Sequence, residues 1–396
     1  MDLRRLLEKM MDTGASDLHL KTGTRPILRV DGVLGPTDDP PLNSKDLDAI
    51  CDQVLTPKQK EQYLREREID FAFGVPGLAR FRANFFYQRG TAAMAVRHVP
   101  LGVPAIEDLN LPPIVEQLSS RARGLILVTG TVGSGKSTTL ASMIDCINRS
   151  EARNVITVED PIEFLHRDEK SIINQREVGL DTGTYLSALK HILRQDPDVI
   201  LLGEIRDQET MSIALMAADT GHLVLSTLHT IDAPQTVNRI LSFYPPHQHA
   251  EIRFLLASTL QAVISQRLIQ RAEGKGRVPA VEVMLNTAAI GDYLMSPEKT
   301  LMIKSAIQEG AQQYGMQTFD QSLMSLFTQG LITYDAAMQN ASNPSELDLR
   351  MRGISSSSDT TWSAFEGQTK EEEEEEGAGK TLSQEPPDVP KGITKY

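Results

Sequence analysis

The sequence predicts an α/β protein in which a smaller α+β domain precedes a larger domain built on a doubly wound parallel sheet. Three observations support this fold class. Strand-forming segments occupy much of the first hundred residues, strand-like and helix-like segments alternate from about residue 110 to 350, and a glycine-rich loop joins a strand to a helix near residue 130. Alternation of strands and helices along a chain is typical of a parallel sheet with helices on both faces.

The first domain is predicted to span residues 1–100. It begins with an amphipathic helix, because apolar residues recur on one helical face, namely Leu3, Leu6, Leu7, Met10 and Met11. A second helical stretch is predicted over 44–64. Strands are predicted from β-rich or alternating runs at 17–20, 26–30, 69–73, 79–87 and 92–97. A connector rich in proline and glycine then predicts a linker over 101–109.

The second domain is predicted to span residues 110–353. Its buried strands are expected where short apolar runs stand between helical segments, at 125–128, 155–158, 199–202 and 223–226. Helices are expected directly after the glycine-rich loop, at 185–193, at 208–219, and in several segments from residue 233 to about 340. Ligands of such sheets bind beyond the carboxyl ends of the strands, so functional side chains are expected there.

Residues 354–396 differ from the rest in composition. They contain four consecutive serines, six consecutive glutamates and few apolar residues, which predicts a disordered acidic tail. The formal net charge is −13, and ten acidic residues and four lysines from Asp359 onward account for −6 of it. The remaining body is acidic as well. This argues against a nucleic-acid-binding protein, which normally carries a basic face.

Composition also limits the compartment and the class of cofactor. The N-terminus carries charges at helical spacing and lacks the apolar core of a signal peptide. No apolar run approaches the roughly 18 residues that span a bilayer. The two cysteines, Cys51 and Cys146, are far apart and form no metal-binding pair. A cytoplasmic protein without a direct transmembrane segment is expected, with any link to a membrane made through partners.

The most specific motif is a complete G-x-x-x-x-G-K-S phosphate-binding loop between a predicted strand and a predicted helix. In this setting backbone N–H groups and the helix N-terminus can surround phosphates. Lys136 is expected to reach the β- and γ-phosphates, and the Ser137 hydroxyl to hold Mg²⁺. The residues predicted to bind ATP are Gly130, Thr131, Val132, Gly133, Ser134, Gly135, Lys136, Ser137 and Thr138.

Acidic residues and a histidine follow the other predicted strands of this domain. Glu204 follows the strand at 199–202 and is expected to act on Mg²⁺ through water, or to steer the attacking water. Three carboxylates within five residues follow the strand at 155–158, and Glu163 among them is the candidate general base. His229 follows the strand at 223–226 and is a candidate γ-phosphate sensor. The pattern predicts a hydrolytic site.

These segments resemble the type IV pilus retraction ATPases of the PilT/PilU group, within the secretion-ATPase superfamily. The resemblance covers residues 1 to about 353. It includes Ala15-Ser-Asp-Leu-His-Leu20, the phosphate loop, the Asp box Val158-Glu-Asp-Pro-Ile-Glu163, the Walker B segment Arg194-Gln-Asp-Pro-Asp-Val-Ile-Leu-Leu-Gly-Glu-Ile-Arg-Asp207, the His box Thr227-Leu-His-Thr230, and Gly315-Met-Gln-Thr-Phe-Asp-Gln-Ser-Leu323. The nucleotide-site boxes occur in the order of the family.

The resemblance implies a PAS-like N-terminal domain joined by a flexible linker to a RecA-like ATPase domain, with a homohexameric ring as the active form. ATP would lie between the two domains, where arginines of the first domain approach the γ-phosphate. By motif position these are Arg82 and Arg97, with Arg89 a weaker candidate. Such an arginine is worth a factor of about 10³–10⁵ in rate in GTPase systems.

The implied function is ATP hydrolysis coupled to pilus retraction and twitching motility, at the inner-membrane base of the pilus machine, with an inner-membrane platform protein as partner. One segment departs from the family. Retraction ATPases of the PilT type carry Ala-Ile-Arg-Asn-Leu-Ile-Arg-Glu, where this chain has Ala289-Ile-Gly-Asp-Tyr-Leu-Met-Ser296. An accessory paralogue that modulates a partner retraction ATPase stays open as an alternative. A nucleic-acid translocase on the same core is a third hypothesis.

Overall fold

Two β-sheets, each with its own cluster of buried apolar residues, organise the chain. The structure, a computed structural model, describes residues 2–30, 32–99, 102–354, 361–362 and 364–365. All strands of the first sheet precede residue 100, and all strands of the second follow residue 123. The predicted α/β fold class is confirmed. Pro100, at the end of the predicted first domain, and Leu101, at the start of the predicted linker, lie outside the described residues.

The first sheet has six antiparallel strands in the order β3-β2-β1-β6-β5-β4. The strands are β1 (Asp17–Lys21), β2 (Ile27–Val30), β3 (Val33–Pro36), β4 (Glu68–Val75), β5 (Ala79–Gln88) and β6 (Thr91–Val99). Three helices complete this part: α1 (Leu3–Asp12), α2 (Ser44–Val54) and α3 (Pro57–Glu66). The single helix predicted over 44–64 is two helices, because Thr56 caps a new helix whose first residue is Pro57.

Alternation along β5 determines which side chains this sheet presents on its two faces. Phe81 and Phe85 are fully buried, in contact with the apolar residues of the three helices. Successive side chains of a strand point to opposite faces. Arg80 and Arg82 therefore project from the other face, where they contact the second domain.

The second sheet has seven strands in the order β13-β12-β7-β11-β10-β8-β9, all parallel to their neighbours except β13. The strands are β7 (Gly124–Thr129), β8 (Asn154–Glu159), β9 (Ile172–Glu177), β10 (Val199–Leu202), β11 (Leu223–Leu228), β12 (Leu260–Gln270) and β13 (Arg277–Leu285). The four strands predicted in this domain are β7, β8, β10 and β11. They form the centre of the sheet together with β12.

Helices cover the second sheet and extend beyond it. They are α4 (Ile114–Ser119), α5 (Lys136–Ser150), α6 (Tyr185–Ile192), α7 (Gln208–Asp219), α8 (Ala233–Ser242), α9 (His249–Thr259), α10 (Ala288–Met295), α11 (Ile303–Glu309), α12 (Ala311–Tyr314), α13 (Phe319–Thr328), α14 (Tyr334–Asn340) and α15 (Pro344–Met351). Within the described ranges no helix is both long and apolar enough to cross a membrane.

The predicted succession of helices from 233 to about 340 misses the hairpin formed by β12 and β13. Strand β12 lies between β7 and β13, and most of its residues are buried on both faces. Its sequence therefore lacks the polar–apolar alternation that identifies a half-exposed strand.

The disordered tail predicted for 354–396 lies mostly outside the described residues, but the prediction is wrong for Trp362. The Trp362 side chain is only 1% exposed and lies in an apolar cluster with residues of β12, β13 and α13. The backbone carbonyl of Thr361 accepts a hydrogen bond of 2.7 Å from Gln321 Nε2. A large aromatic ring buries enough apolar surface to hold a short segment in place. The folded part of the chain thus extends beyond residue 353.

Candidate functional site

The phosphate-binding loop lies between the buried strand β7 and the first turn of α5. Gly130, Gly133 and Gly135 have positive φ angles of 143°, 77° and 93°, which glycine adopts without the strain imposed by a side chain. Space also excludes a side chain at Gly130, because a Cβ there would lie 2.5 Å from the Gln266 carbonyl oxygen and 2.5 Å from Ser134 Oγ. The curvature of the loop therefore depends on these glycines.

Lys136 fixes a positive charge inside this loop. Its side-chain Nζ donates hydrogen bonds of 2.9 Å to the carbonyl oxygens of Gly130 and Thr131. Burial lowers the pKa of Lys136, and the nearby Glu204 carboxylate opposes this effect. An ammonium group has three N–H donors. Two of these donors bind the loop carbonyls, so the third N–H of Lys136 can bind an anionic acceptor such as a phosphate oxygen.

Other features of the loop fit a bound phosphate chain. Ser134 Oγ is buried and has no hydrogen-bond partner within the protein, which is uncommon for a buried polar atom. The N-terminus of α5 supplies backbone N–H groups that have no partner within the helix. Seven of the nine predicted ATP-binding residues, 132–138, line the adjacent cleft. Gly130 and Thr131 contribute the carbonyls that hold Lys136.

Glu204 lies just beyond the carboxyl end of β10 with both carboxylate oxygens hydrogen-bonded. Oε1 pairs with the Arg206 guanidinium, and Oε2 lies 3.2 Å from His229 Nε2. Burial raises the pKa of Glu204, but the hydrogen bonds from Arg206 and His229 outweigh it, so the pKa lies below its ordinary value. Glu204 is consequently ionised at neutral pH, and the predicted pair of Glu204 and His229 is brought together in the cleft.

Tight packing at Gly203 places the Glu204 backbone. A Cβ at Gly203 would lie 2.8 Å from the Tyr185 hydroxyl oxygen and 3.4 Å from Glu159 Cα. The Gly203 carbonyl accepts a hydrogen bond of 2.7 Å from Thr227 Oγ1, which ties the end of β10 to the end of β11. A side chain at this position would therefore have to displace the Tyr185 hydroxyl group.

The Asp box follows β8 and turns back through a cis peptide bond between Asp160 and Pro161. Burial raises the pKa of Glu159, although hydrogen bonds from Thr157 and from the Glu163 backbone N–H lower it in part. Glu163 is more exposed, at 47% for its side chain, and lines the same cleft as the phosphate loop. Of these two carboxyl groups, Glu163 is therefore the one that water reaches more readily.

Arg82 of the N-terminal domain contacts the Asp box directly. Its Nη2 donates hydrogen bonds of 2.8 Å to the Ile162 carbonyl and 3.1 Å to the Pro161 carbonyl, and it lies 3.1 Å from Glu163 Oε1. Arg82 does not line the phosphate-loop cleft, but lines a neighbouring interdomain cleft of about 470 Å³. The predicted general base, Glu163, and an arginine predicted to approach the γ-phosphate, Arg82, thus neutralise each other here.

Arg97, the other predicted arginine, lines the cleft opposite the phosphate loop. Its side chain is 68% exposed, and Nε donates a hydrogen bond of 2.8 Å to Asp17 Oδ1. The cleft has a volume of about 610 Å³, within the range of small-molecule sites. It brings the phosphate loop, Glu163, Glu204 and His229 together with an arginine of the other domain.

Sequence reasoning missed several residues of this region. Arg80 forms an interdomain ion pair, with its Nη2 3.1 Å from Glu177 Oε2, and Glu177 is only 4% exposed. Arg206 pairs with Glu204, and Arg277 at the start of β13 lines the cleft. The alternation of β5 could have placed Arg80 on the same face as Arg82. No local sequence pattern indicates that Arg206 and Arg277 lie at this site.

A buried carboxyl group supports the segment that carries His229. Glu282 of β13 is 2% exposed, and its Oε1 accepts a hydrogen bond of 2.8 Å from the backbone N–H of Ala233, the first residue of α8. Burial raises the pKa of Glu282 to about 7, although the hydrogen bond from Ala233 opposes this shift. The helix that follows the His box is thus anchored on a group that titrates near neutral pH.

Glu282→Gln is expected to stabilise the protein at pH 8 and to have little effect at pH 5. The folded-state pKa of Glu282 lies above the ordinary value of 4.5, so its contribution to stability is complete below pH 4.5 and is lost as pH rises through 7. The loss approaches roughly 3 kcal/mol. Urea unfolding at both pH values measures it, with the exposed Glu273→Gln as a control that should follow the wild type. A stability difference independent of pH would contradict the assignment.

Comparisons with known proteins identify the family of this chain. The family model for "Type II/IV secretion system protein" matches residues 105–333. The chain is 44% identical to the type IV pilus retraction ATPase PilT of Pseudomonas aeruginosa, over 87% of this chain and 99% of that protein. It is 38% identical to the type IV pilus ATPase PilU of the same organism, over 96% of this chain and 99% of PilU.

The fold is similar to that of solved structures as well. The crystal structure of the pilus retraction motor PilT with bound ADP superposes with a TM-score of 0.82 at 44% identity, covering 88% of this chain and 99% of that one. The ATPase DotB of Legionella pneumophila gives a TM-score of 0.69 at 27% identity, covering 85% and 94%. The chain is an ATP hydrolase with a RecA-like ATPase domain. It belongs to the type II/IV secretion system protein family and, within it, to the PilT/PilU group of type IV pilus ATPases.

Proposed function

We propose that this chain is a motor that converts ATP hydrolysis into type IV pilus retraction, the movement behind twitching motility. One observation carries the proposal: a single cleft joins the phosphate loop and strand-end residues of one domain to Arg97 of the other. Hydrolysis at such a boundary can change the relative position of the domains. The likeness to PilT over 99% of its length supports pilus retraction as the work performed.

In this proposal each residue of the cleft has a separate task. Lys136 binds the β- and γ-phosphates, and Glu163 accepts the proton of the attacking water. His229 holds the ionised Glu204 at the γ-phosphate end of the cleft. Arg97 stabilises the charge that develops on the γ-phosphate.

Mg²⁺ fits the donors that the cleft offers. The Ser137 hydroxyl and the ionised Glu204 carboxylate are hard oxygen ligands of the kind Mg²⁺ prefers. Within the described ranges no cluster of three His, Cys, Asp or Glu side chains could form a dedicated metal cage. Mg²⁺ would therefore bind through Ser137, through Glu204 by way of water, and through phosphate oxygens. When bound, it neutralises phosphate charge.

The ion pair between Arg82 and Glu163 gives this scheme a resting state. While Arg82 bonds Glu163 and the two Asp-box carbonyls, the base carries a bound cation and the arginine is held away from the phosphate loop. Transfer of Arg82 to the γ-phosphate would release Glu163 for the water. ATP binding and base activation would then occur in one movement of the N-terminal domain.

The proposed assembly is a homohexameric ring at the cytoplasmic side of the inner membrane, at the base of the pilus machine. An inner-membrane platform protein is the first proposed partner, and a paralogous retraction ATPase is the second. The similarity to PilT and PilU supports these proposals. Domain movement in each subunit would deform the ring and act on the platform protein.

Glu163→Gln is expected to bind ATP with nearly unchanged affinity and to hydrolyse it roughly 100-fold more slowly, because the base is lost while the phosphate loop is intact. Expressed in a piliated bacterium without its own retraction ATPases, the wild type should retract pili and this variant should not. Titration with a fluorescent ATP analogue, phosphate release and pilus imaging measure the three properties. Glu169→Gln, an exposed change in the same region, is the matched control. Wild-type turnover by Glu163→Gln would remove Glu163 as the base.

The same experiment separates the alternatives. Helix α10 lacks the arginines of the PilT-type segment and has Gly291 and Asp292 instead. Space exists for a side chain at Gly291, since the nearest atom to a Cβ there would be Asn286 Oδ1 at 3.6 Å. If this chain supports pilus retraction only when a second retraction ATPase is present, its role is accessory. In that case the double substitution Gly291→Arg with Asp292→Asn should allow it to retract pili alone. ATP hydrolysis stimulated by added DNA would favour a translocase.

A further inference from the structure

A row of charged side chains crosses the N-terminal sheet. Arg29 of β2 stands opposite Asp17 of β1, Asp17 stands opposite Arg97 of β6, and Arg97 stands opposite Arg82 of β5. Residues paired in this way project from the same face of a sheet. Because Arg82 bonds the Asp box, this is the face turned toward the ATPase domain. We refer to these four residues as the charged row.

Asp17 is the acidic member of the charged row, and its surroundings fix it in place. It is 8% exposed, and Oδ2 accepts a hydrogen bond of 2.8 Å from Ser16 Oγ while Arg29 Nε lies 3.8 Å away. Burial raises the pKa of Asp17, but the hydrogen bonds from Ser16 and Arg97 outweigh it and the pKa lies below its ordinary value. A buried, ionised and immobilised carboxylate can orient a cation bound to it.

The bond from Asp17 to Arg97 leaves the cleft side of the guanidinium available. Arg97 uses Nε for Asp17 Oδ1, at 2.8 Å. A guanidinium has five N–H donors, four of which belong to the two terminal nitrogens. These form the fork that matches a phosphate group. Asp17 therefore binds the guanidinium at Nε, on the side away from the two terminal nitrogens. Arg97 is exposed and lines the nucleotide cleft, so these terminal nitrogens are available to a ligand there.

The Asp17 carboxylate also compensates an electrostatic repulsion within the charged row. Arg82 and Arg97 are like charges directly opposite one another on neighbouring strands, a destabilising arrangement when uncompensated. Arg82 has its counter-ion in the other domain, at Glu163. Arg97 has its counter-ion within its own domain, at Asp17. Arg97 therefore keeps its orientation whether or not the two domains are in contact.

We propose that Asp17 is a positioning residue for ATP hydrolysis, which holds the Arg97 guanidinium with its fork directed at the γ-phosphate. The inference rests on the role proposed above for Arg97. It gives a task to the Ala15–Leu20 segment, which lies on the far side of β6 from β5 and does not line the phosphate-loop cleft itself. Asp17 acts through Arg97, so its effect should disappear when Arg97 is absent.

A double-mutant cycle tests this dependence. Asp17→Asn should lower kcat by ~10-fold, with a much smaller change in KM for ATP, because the cation is misdirected while the phosphate loop is intact. The double variant Asp17→Asn with Arg97→Gln should have the same kcat as Arg97→Gln alone. Asp17→Glu keeps the charge and the fold but displaces the guanidinium, so it should lie between wild type and Asp17→Asn. Melting temperatures identify any variant that has lost its fold. If Asp17→Asn does not fold, Asp17→Glu replaces it in the double-mutant cycle.

Each outcome has a distinct meaning. Arg29→Gln removes the other arginine beside Asp17, which lies 3.8 Å from the carboxylate and away from the cleft, and should lower kcat far less than Asp17→Asn. If Asp17→Asn lowers kcat by the same factor with and without Arg97, Asp17 acts on stability or elsewhere and the inference is wrong. If Arg97→Gln itself turns over like wild type, the proposed role of Arg97 fails and the inference fails with it.

Discussion

Lys136→Ala is expected to lower the rate of ATP hydrolysis by roughly 100-fold or more and to weaken nucleotide binding as well. Lys136 is the cation held inside the phosphate loop by the Gly130 and Thr131 carbonyls. In the proposed site its charge would interact with the β- and γ-phosphates both in the ground state and in the transition state. Loss of this group should therefore affect Kd and kcat together, unlike loss of Glu163.

Isothermal titration with ADP and ATP, combined with steady-state phosphate release, measures both effects. Lys170→Ala is the matched control, since Lys170 belongs to the same domain and its Nζ makes one hydrogen bond of 3.4 Å to the Ser150 carbonyl. Lys136→Ala should keep its fold, because it removes a charge whose burial is unfavourable, as the lowered pKa of Lys136 indicates. Unchanged ATP affinity in Lys136→Ala would contradict the geometry assigned to the loop.

The parts of the site that the sequence predicted are those with local requirements. A phosphate loop needs positive φ angles at fixed spacing, and the glycines at 130, 133 and 135 meet that need. Glu204 and His229 stand just beyond the ends of adjacent parallel strands, β10 and β11, so the strand assignments were enough to bring them together.

The parts that were missed depend on contacts between distant segments. Arg80 pairs with Glu177, which is 97 positions away in the chain, and no local pattern selects one surface arginine for such a contact. Strand β12 was obscured because burial on both faces removes its alternation. Trp362 stands among serines and acidic residues without apolar periodicity, so composition alone assigned it to the tail.

Trp362→Ala is expected to reduce the free energy of unfolding of the ATPase domain by about 3–5 kcal/mol, the usual cost of truncating a buried large aromatic residue. The Trp362 ring fills an apolar cluster with Phe319 and Leu323 of α13, and the Arg350 guanidinium carbon lies 5.2 Å from its centroid. Truncation after Gly353 removes the same ring and should have a similar effect. Urea unfolding monitored by circular dichroism measures both changes.

Two controls show whether Trp362 itself is responsible. Trp362→Phe retains a buried ring and should lose much less stability than Trp362→Ala. Truncation after Gly367 keeps Trp362 and removes the six glutamates, and it should unfold like the full-length chain, because the removed segment has few apolar residues to contribute to a core. Equal stability of the two truncated proteins would mean that Trp362 does not anchor the segment after α15. If the chain truncated after Gly367 is clearly more stable than the chain truncated after Gly353, the folded domain ends after Trp362, and the contacts of Trp362 with α13 hold its last segment in place.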